Sequence, residues 1–161
     1  MFDNSEDKSL ESAKKRSLKI LGSRQMSSSG MERRLVEKGE SEENAQKTVQ
    51  WLEKIGAIND KLYAESICNY YSKKGYGITK IKDELYKRAI GKDLWDEAIS
   101  TIEGAEVNDA ALQFLHKKLR GSDDKADIRR ATAALCRRGF SYEDAKTAIS
   151  EYLENLETPG Q

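Results

Sequence analysis

Three segments of this chain superimpose without a gap: "MERRLVEKGESEENAQKTVQWL" from Met31, "IKDELYKRAIGKDLWDEAISTI" from Ile81 and "ATAALCRRGFSYEDAKTAISEYL" from Ala131. Leucine stands at 35, 85 and 135, a small residue at Gly39, Ala89 and Gly139, and an apolar residue at Val49, Ile99 and Ile149. A repeat of this period means one structural unit used three times. A unit of about fifty residues buries little core alone and gains more by stacking on its neighbour. Apolar residues within each copy recur at helical spacing, and strand-like alternation is almost absent. Each copy reads as a helix, a turn closed by Gly or Ala, a cap at Ser41, Gly91 or Ser141, and a second helix with acids in its first turn. Ser141 and Asp144 have the spacing of a capping box.

A further helix precedes each copy, marked by Leu18 and Leu21, by Tyr63, Ile67 and Tyr70, and by Leu112 and Leu115. The expectation is an all-α protein of tandem three-helix repeats forming an elongated, curved body. Its nine helices fall at about 10–22, 27–39, 42–55, 60–74, 78–88, 92–103, 106–120, 125–138 and 142–156. The repeats occupy 13–58, 59–104 and 105–156, after a flexible amino-terminal segment at 1–12 and before a tail at 157–161. Such a body suits an elongated partner with its own repeat.

Composition narrows the function. Lys plus Arg and Asp plus Glu both count 28 in 161 residues, so the net charge is zero and no long-range field collects anions. Any nucleic-acid contact is therefore local. Charged residues at 35%, hydrophobic residues at 37% and a single proline describe a thin-cored helical protein with much wetted surface. Cys68 and Cys136 form no CxxC pair and read as buried small hydrophobes. No segment has the apolar length of a signal peptide or membrane span, so a cytoplasmic location without membrane contact is expected.

No constellation for catalysis is present. "KKGYGIT", with Gly75 and Gly77, lacks the GxxxxGK[ST] spacing and preceding strand of a phosphate loop, and reads as a corner with Gly75 in a left-handed conformation. His116 is the only histidine and has no cysteine or HExxH pattern beside it. Glu42, Glu43, Asp123 and Asp124 sit at helix starts, where they stabilise the dipole. The basic pairs Lys73/Lys74, Lys87/Arg88, Lys117/Lys118, Arg129/Arg130 and Arg137/Arg138 recur near the corners of the units. Any one pair is as readily a solvated face, but their recurrence suggests a stripe. Inner faces set by Ile128, Ala131 and Leu135, and by Ile78, Ile81 and Leu85, leave Arg130, Arg137, Lys80 and Lys87 in water. The expected partner-binding residues are Lys73, Lys74, Lys80, Lys87, Arg129, Arg130, Arg137 and Arg138, with no catalytic, metal or cofactor site.

"AINDKLYAESI", with Asp60, Tyr63 and Ala64, then "GYGITKIKDELYKRAI" and "LCRRGFSYEDA" follow one another in an order that resembles the RecX family, regulators of the bacterial RecA recombinase. The likeness runs from about Ala13 to Leu153. Ala89 departs from it, where the family's second unit usually has glycine, and so does the charged stretch "LRGSDDKADIRR". The resemblance implies a monomeric, non-enzymatic inhibitor without cofactor, acting in DNA repair, homologous recombination and the SOS response. Such a protein lies in the groove of the RecA filament on DNA and limits filament growth, ATP hydrolysis, strand exchange and co-protease activity. Local basic patches would reach single- or double-stranded DNA. A stand-alone helical DNA-binding module is the alternative, and a generic helical adaptor the third. Zero net charge and the lack of an obvious outward-facing recognition helix count against the second.

Overall fold

The computed structural model describes residues 4–102 and 104–158, and among these it is helical with no strand. The helices are α1 (Asn4–Leu21), α2 (Ser28–Glu37), α3 (Glu42–Lys54), α4 (Asp60–Lys73), α5 (Ile78–Lys87), α6 (Trp95–Ser100), α7 (Gly104–Leu119), α8 (Lys125–Arg137) and α9 (Tyr142–Glu157). A 3-10 turn, Lys92–Leu94, leads into α6. Two ends differ from expectation. Helix α1 begins at Asn4 and takes in most of the segment expected to be flexible, with Glu6 and Asp7 in its first turn answering the helix dipole. Helix α6 is only six residues long. Ser100 and Thr101 turn their hydroxyls back onto the carbonyls of Glu97 and Ala98, as hydroxyl side chains do near helix ends. Of the expected tail, residues 159–161 lie outside the described residues.

Packing gathers the helices into two compact units, and this division cuts through the second sequence repeat. One unit holds the chain up to Ala64 together with Tyr86–Leu94; the other holds Glu65–Leu85 and the chain from Trp95 onward. In the first, α1 packs on α2 and α3 around Met31, Leu35, Ala45, Val49, Leu52 and Ile58. In the second, α7 and α8 pack on α9 around Leu112, Leu115, Leu119, Leu135, Ile149 and Tyr152. Repeat-equivalent positions share burial: Leu35, Leu85 and Leu135 are all 0% exposed, as are Met31, Ile81 and Ala131. The period thus records one core pattern used three times. The second copy departs at two places: Trp95 is half-buried where its counterparts Ala45 and Ala145 are fully enclosed, since an indole is too large for an alanine's place, and Ile99 is half-buried where Val49 and Ile149 are buried.

The corners follow from local chemistry. Ser41 and Ser141 accept from the backbone N–H of Asn44 and Asp144, and Asp124 caps α8 in the same way. Helices α2 and α8 close with Gly39 and Gly139 at φ +102° and +96°, and Ala89 takes the same left-handed place after α5 at +56°. Glu40 and Phe140 then donate their backbone N–H back to Leu35 and Leu135, completing the crossed closing bonds of a helix end. An L-residue held left-handed is strained, so Ala89→Gly is expected to raise stability by about 1 kcal/mol. A urea midpoint that does not move upward would contradict this.

Asp60 explains part of the D-x-x-Y-A run. From the first residue of α4 its carboxylate accepts from both the backbone N–H and the hydroxyl of Ser28, so it caps the start of α2 from a distance. Cys68 is buried as expected, and burial pushes its thiol up to about 11, with Glu65 adding to the rise. Cys136 is exposed, contrary to expectation. It follows Leu135 by one residue, about 100° around the helix from that inward side chain, and so leaves the face defined by Ala131, Ala134 and Leu135.

Candidate partner-binding surface

The corner "KKGYGIT" and the corner "RRGFS" are clasped together within one unit. Gly77 donates its backbone N–H to the Arg138 carbonyl at 3.0 Å and Thr79 donates to Gly139 at 2.9 Å. Two orphan donors at the start of α5 are thereby satisfied without a side-chain cap. The approach is so close that a Cβ on Gly77 would stand 2.4 Å from the backbone of Gly139 and Phe140. The Arg138 guanidinium locks the pair: Nε donates to the Gly75 carbonyl at 3.2 Å and Nη2 to Lys74 at 3.0 Å. Its Cζ lies 4.6 Å from the Tyr76 ring centroid and 5.5 Å from that of Phe114, so the cation is within reach of two aromatic rings. Gly75 has φ +84°, as the corner reading requires.

This clasp sorts the eight expected contact residues. Lys73, Lys74, Lys80 and Arg138 come together, with Arg137 adjoining. Lys73, Lys74 and Arg137 are exposed, but Arg138 is half-buried and spends two of its donors inside the fold. Lys80 is not left in water as expected. Its ammonium pairs with Glu84 at 2.9 Å and lies 5.8 Å from the Tyr76 ring, and its Cβ faces Gly139. The hydrogen bond to Glu84 holds the Lys80 ammonium above its ordinary pKa. Glu84, the acid of the I-x-x-E-L run, is itself buried and also accepts from the Tyr71 hydroxyl, so Lys80 compensates a buried charge.

Arg129 and Arg130 are exposed on α8 without joining the clasp. Arg130 is paired with Asp127, whose carboxyl is held below its ordinary pKa by the Ser122 hydroxyl and by Arg130. Lys87 is exposed and belongs to the other packing unit. Sequence reasoning noted Lys117 as one of a basic pair but did not place it in the site. It lines a groove with Lys73, Lys74 and Arg138, between the end of α4 and one face of α7. The signal was the helical spacing of Glu106, Asp109, Gln113 and Lys117, which sets all four on one side of α7.

His116 is exposed with its ring 5.3 Å from Tyr152, and no group of three or more His, Cys, Asp or Glu that could hold a metal occurs among the described residues. No helix among them is long and apolar enough to cross a membrane. What the surface offers is a corner with exposed cations at Lys73, Lys74 and Arg137.

A family model described as the second three-helix domain of RecX matches residues 59–99. Regulatory protein RecX of Xanthomonas campestris pv. campestris is 30% identical over 143 residues, covering 87% of this chain and 87% of its own length. Regulatory protein RecX of Chlorobium phaeobacteroides is 28% identical over 157 residues, covering 96% and 100%. The crystal structure of RecX from Lactobacillus salivarius superimposes with a TM-score of 0.86 at 20% identity, over 92% of this chain and 99% of that one.

Proposed function

The chain belongs to the RecX family of regulatory proteins, and from that premise we propose that it modulates the RecA recombinase, mainly as an inhibitor. It binds as a cytoplasmic monomer in the groove of the RecA filament on DNA and limits filament growth, ATP hydrolysis, strand exchange and co-protease activity. It does so by contact, without chemistry of its own. The observation that carries this reading is likeness to a RecX protein across 87% of both chains. The surface is compatible with it: zero net charge leaves recognition to local groups, and Lys73, Arg129 and Arg137 are exposed cations whose side chains have no partner among the described residues.

Exposure of Arg129, Arg130 and Arg137 along α8 also favours a second reading, a stand-alone DNA-binding module. Pull-down on RecA filaments against bare single- and double-stranded DNA separates the two. The filament is expected to retain the protein more strongly than either DNA, and less so as salt rises. Arg129→Glu with Arg137→Glu should weaken filament binding about tenfold at unchanged melting temperature, because exposed charges contribute to association more than to folding. A variant that melts normally and inhibits RecA at the wild-type concentration would remove α8 from the surface.

A further inference from the structure

Between Glu11 and Glu32 the sequence holds no acidic residue, and in that interval stand Lys14, Lys15, Arg16, Lys19 and Arg24. No other interval between successive acids is as long. The fold uses two of these cations itself. Lys14 pairs with Glu11 at 3.5 Å and lies over the Trp51 ring, and Arg16 pairs with Glu40 at 3.5 Å and donates to the Lys38 carbonyl. Glu11, the nearest acid before the run, is thereby answered from its own helix. Lys15, Lys19 and Arg24 are exposed, and their side chains have no partner among the described residues. The helix sets their placement. Lys15 and Lys19 each follow a fully enclosed residue, Ala13 and Ser17, by two positions, about 200° around α1 and so on its outer side. Arg24 is held beside the last turn, where its backbone N–H donates to the Ile20 carbonyl at 3.2 Å.

A cationic face without free carboxylates attracts an anion, and its surroundings decide which. A membrane surface is disfavoured because α1 already spends its apolar side: Ile20 and Leu21 pack on the core of α2 and α3, and cannot also enter a bilayer interface. A protein partner is disfavoured because protein interfaces centre on aromatic and apolar anchors and are poor in lysine, whereas Leu18 is the one exposed large hydrophobic among the described residues of α1. Nucleic acid fits. Its interfaces are more polar and more positive than those between proteins, and a strand carries one phosphate about every 3.4 Å of axis. Lys15 and Lys19 stand about 6 Å apart along α1, so a strand running beside the helix brings phosphates to both.

We propose that the outer side of α1 and the connector after it bind the phosphate backbone of a nucleic acid through Lys15, Lys19 and Arg24. Phosphate contacts carry no sequence information, so binding here is independent of base sequence. The inference uses only α1 and its connector, and stands apart from α8 and from the RecA reading.

The test uses the full chain and its Lys15→Gln, Lys19→Gln, Arg24→Gln triple variant. The separate probes, at low salt, are oligo-dT, a short DNA duplex, poly-L-glutamate, and vesicles of phosphatidylcholine with phosphatidylserine. All three side chains are exposed, so the melting temperature should not move. The triple variant is expected to bind oligo-dT and duplex about tenfold more weakly than the wild type. Its slope of log K against log salt should be shallower by about two to three, as when about three phosphate contacts are lost. Lys15→Arg with Lys19→Arg keeps the charge and should keep the binding. If the triple variant melts early, Lys15→Gln alone is measured in its place, with a smaller loss of about threefold expected. Unchanged DNA binding by the neutralised variant overturns the proposal, as does a loss confined to poly-L-glutamate or to the vesicles. DNA binding abolished by Arg129→Glu with Arg137→Glu but untouched by the triple variant would put the contact on α8 and overturn it as well.

Discussion

Gly77→Ala is expected to destabilise the protein by about 3 kcal/mol, more than Gly75→Ala, although Gly75 is the one with the left-handed backbone. The two glycines serve different physical needs. At Gly75 a methyl group would meet only the flexible end of Arg138 at 3.4 Å, so its penalty is the strain of an L-residue at positive φ, about 1 kcal/mol. At Gly77 the methyl would fall 2.4 Å from three backbone atoms of Gly139 and Phe140, none of which can turn aside. The corners would have to separate, losing the bonds from Gly77 to Arg138 and from Thr79 to Gly139. Overpacking of this kind costs roughly 1–3 kcal/mol and each backbone bond about 1 kcal/mol more. Urea titrations of the two variants decide the matter. A Gly77→Ala midpoint at or above that of Gly75→Ala would mean that the corners are not pressed together as described.

The same clasp shows where sequence reading ends. The leucine period was legible as a repeat along the chain, and the serine caps at 41 and 141 and the turns closed by Gly39, Ala89 and Gly139 were legible because each depends on residues close together in sequence. Helical periodicity also placed Arg130 and Arg137 outside correctly. It failed for Lys80 because, besides its partner Glu84 one helical turn on, that side chain meets a corner some sixty residues away in sequence, and that second contact is announced by no local pattern. Arg138 read as one more surface cation because its neighbours Arg129, Arg130 and Arg137 are surface cations. Only the fold brings Gly75, Tyr76 and Phe114 around it. Cys136 was misplaced by composition, since free cysteine is usually buried, when its position beside Leu135 already pointed outward. The groove lined by Lys117 needed two helices to be set side by side, and spacing on α7 alone gave half of it.

Leu35→Ala, Leu85→Ala and Leu135→Ala are each expected to cost roughly 2–5 kcal/mol, the range for emptying a leucine site in a packed core. All three leucines are 0% exposed, and each lies four residues after another fully enclosed apolar residue, Met31, Ile81 or Ala131, on the inward face of its helix. The cost should be high within the range for a reason of scale. Each packing unit is a small assembly of short helices, so one leucine is a large share of its apolar interior, and few neighbours can move in to fill the space. Leu35 belongs to one compact unit and Leu135 to the other, so comparable losses in both would show that the fifty-residue period repeats an energetic role as well as a residue type. Against a typical total stability of about 5–15 kcal/mol, any of the three changes should lower the melting temperature by several degrees or more. A Leu85→Ala variant within about 0.5 kcal/mol of wild type would behave as a surface substitution does, and would break the equivalence of the three copies on which the architecture was first inferred.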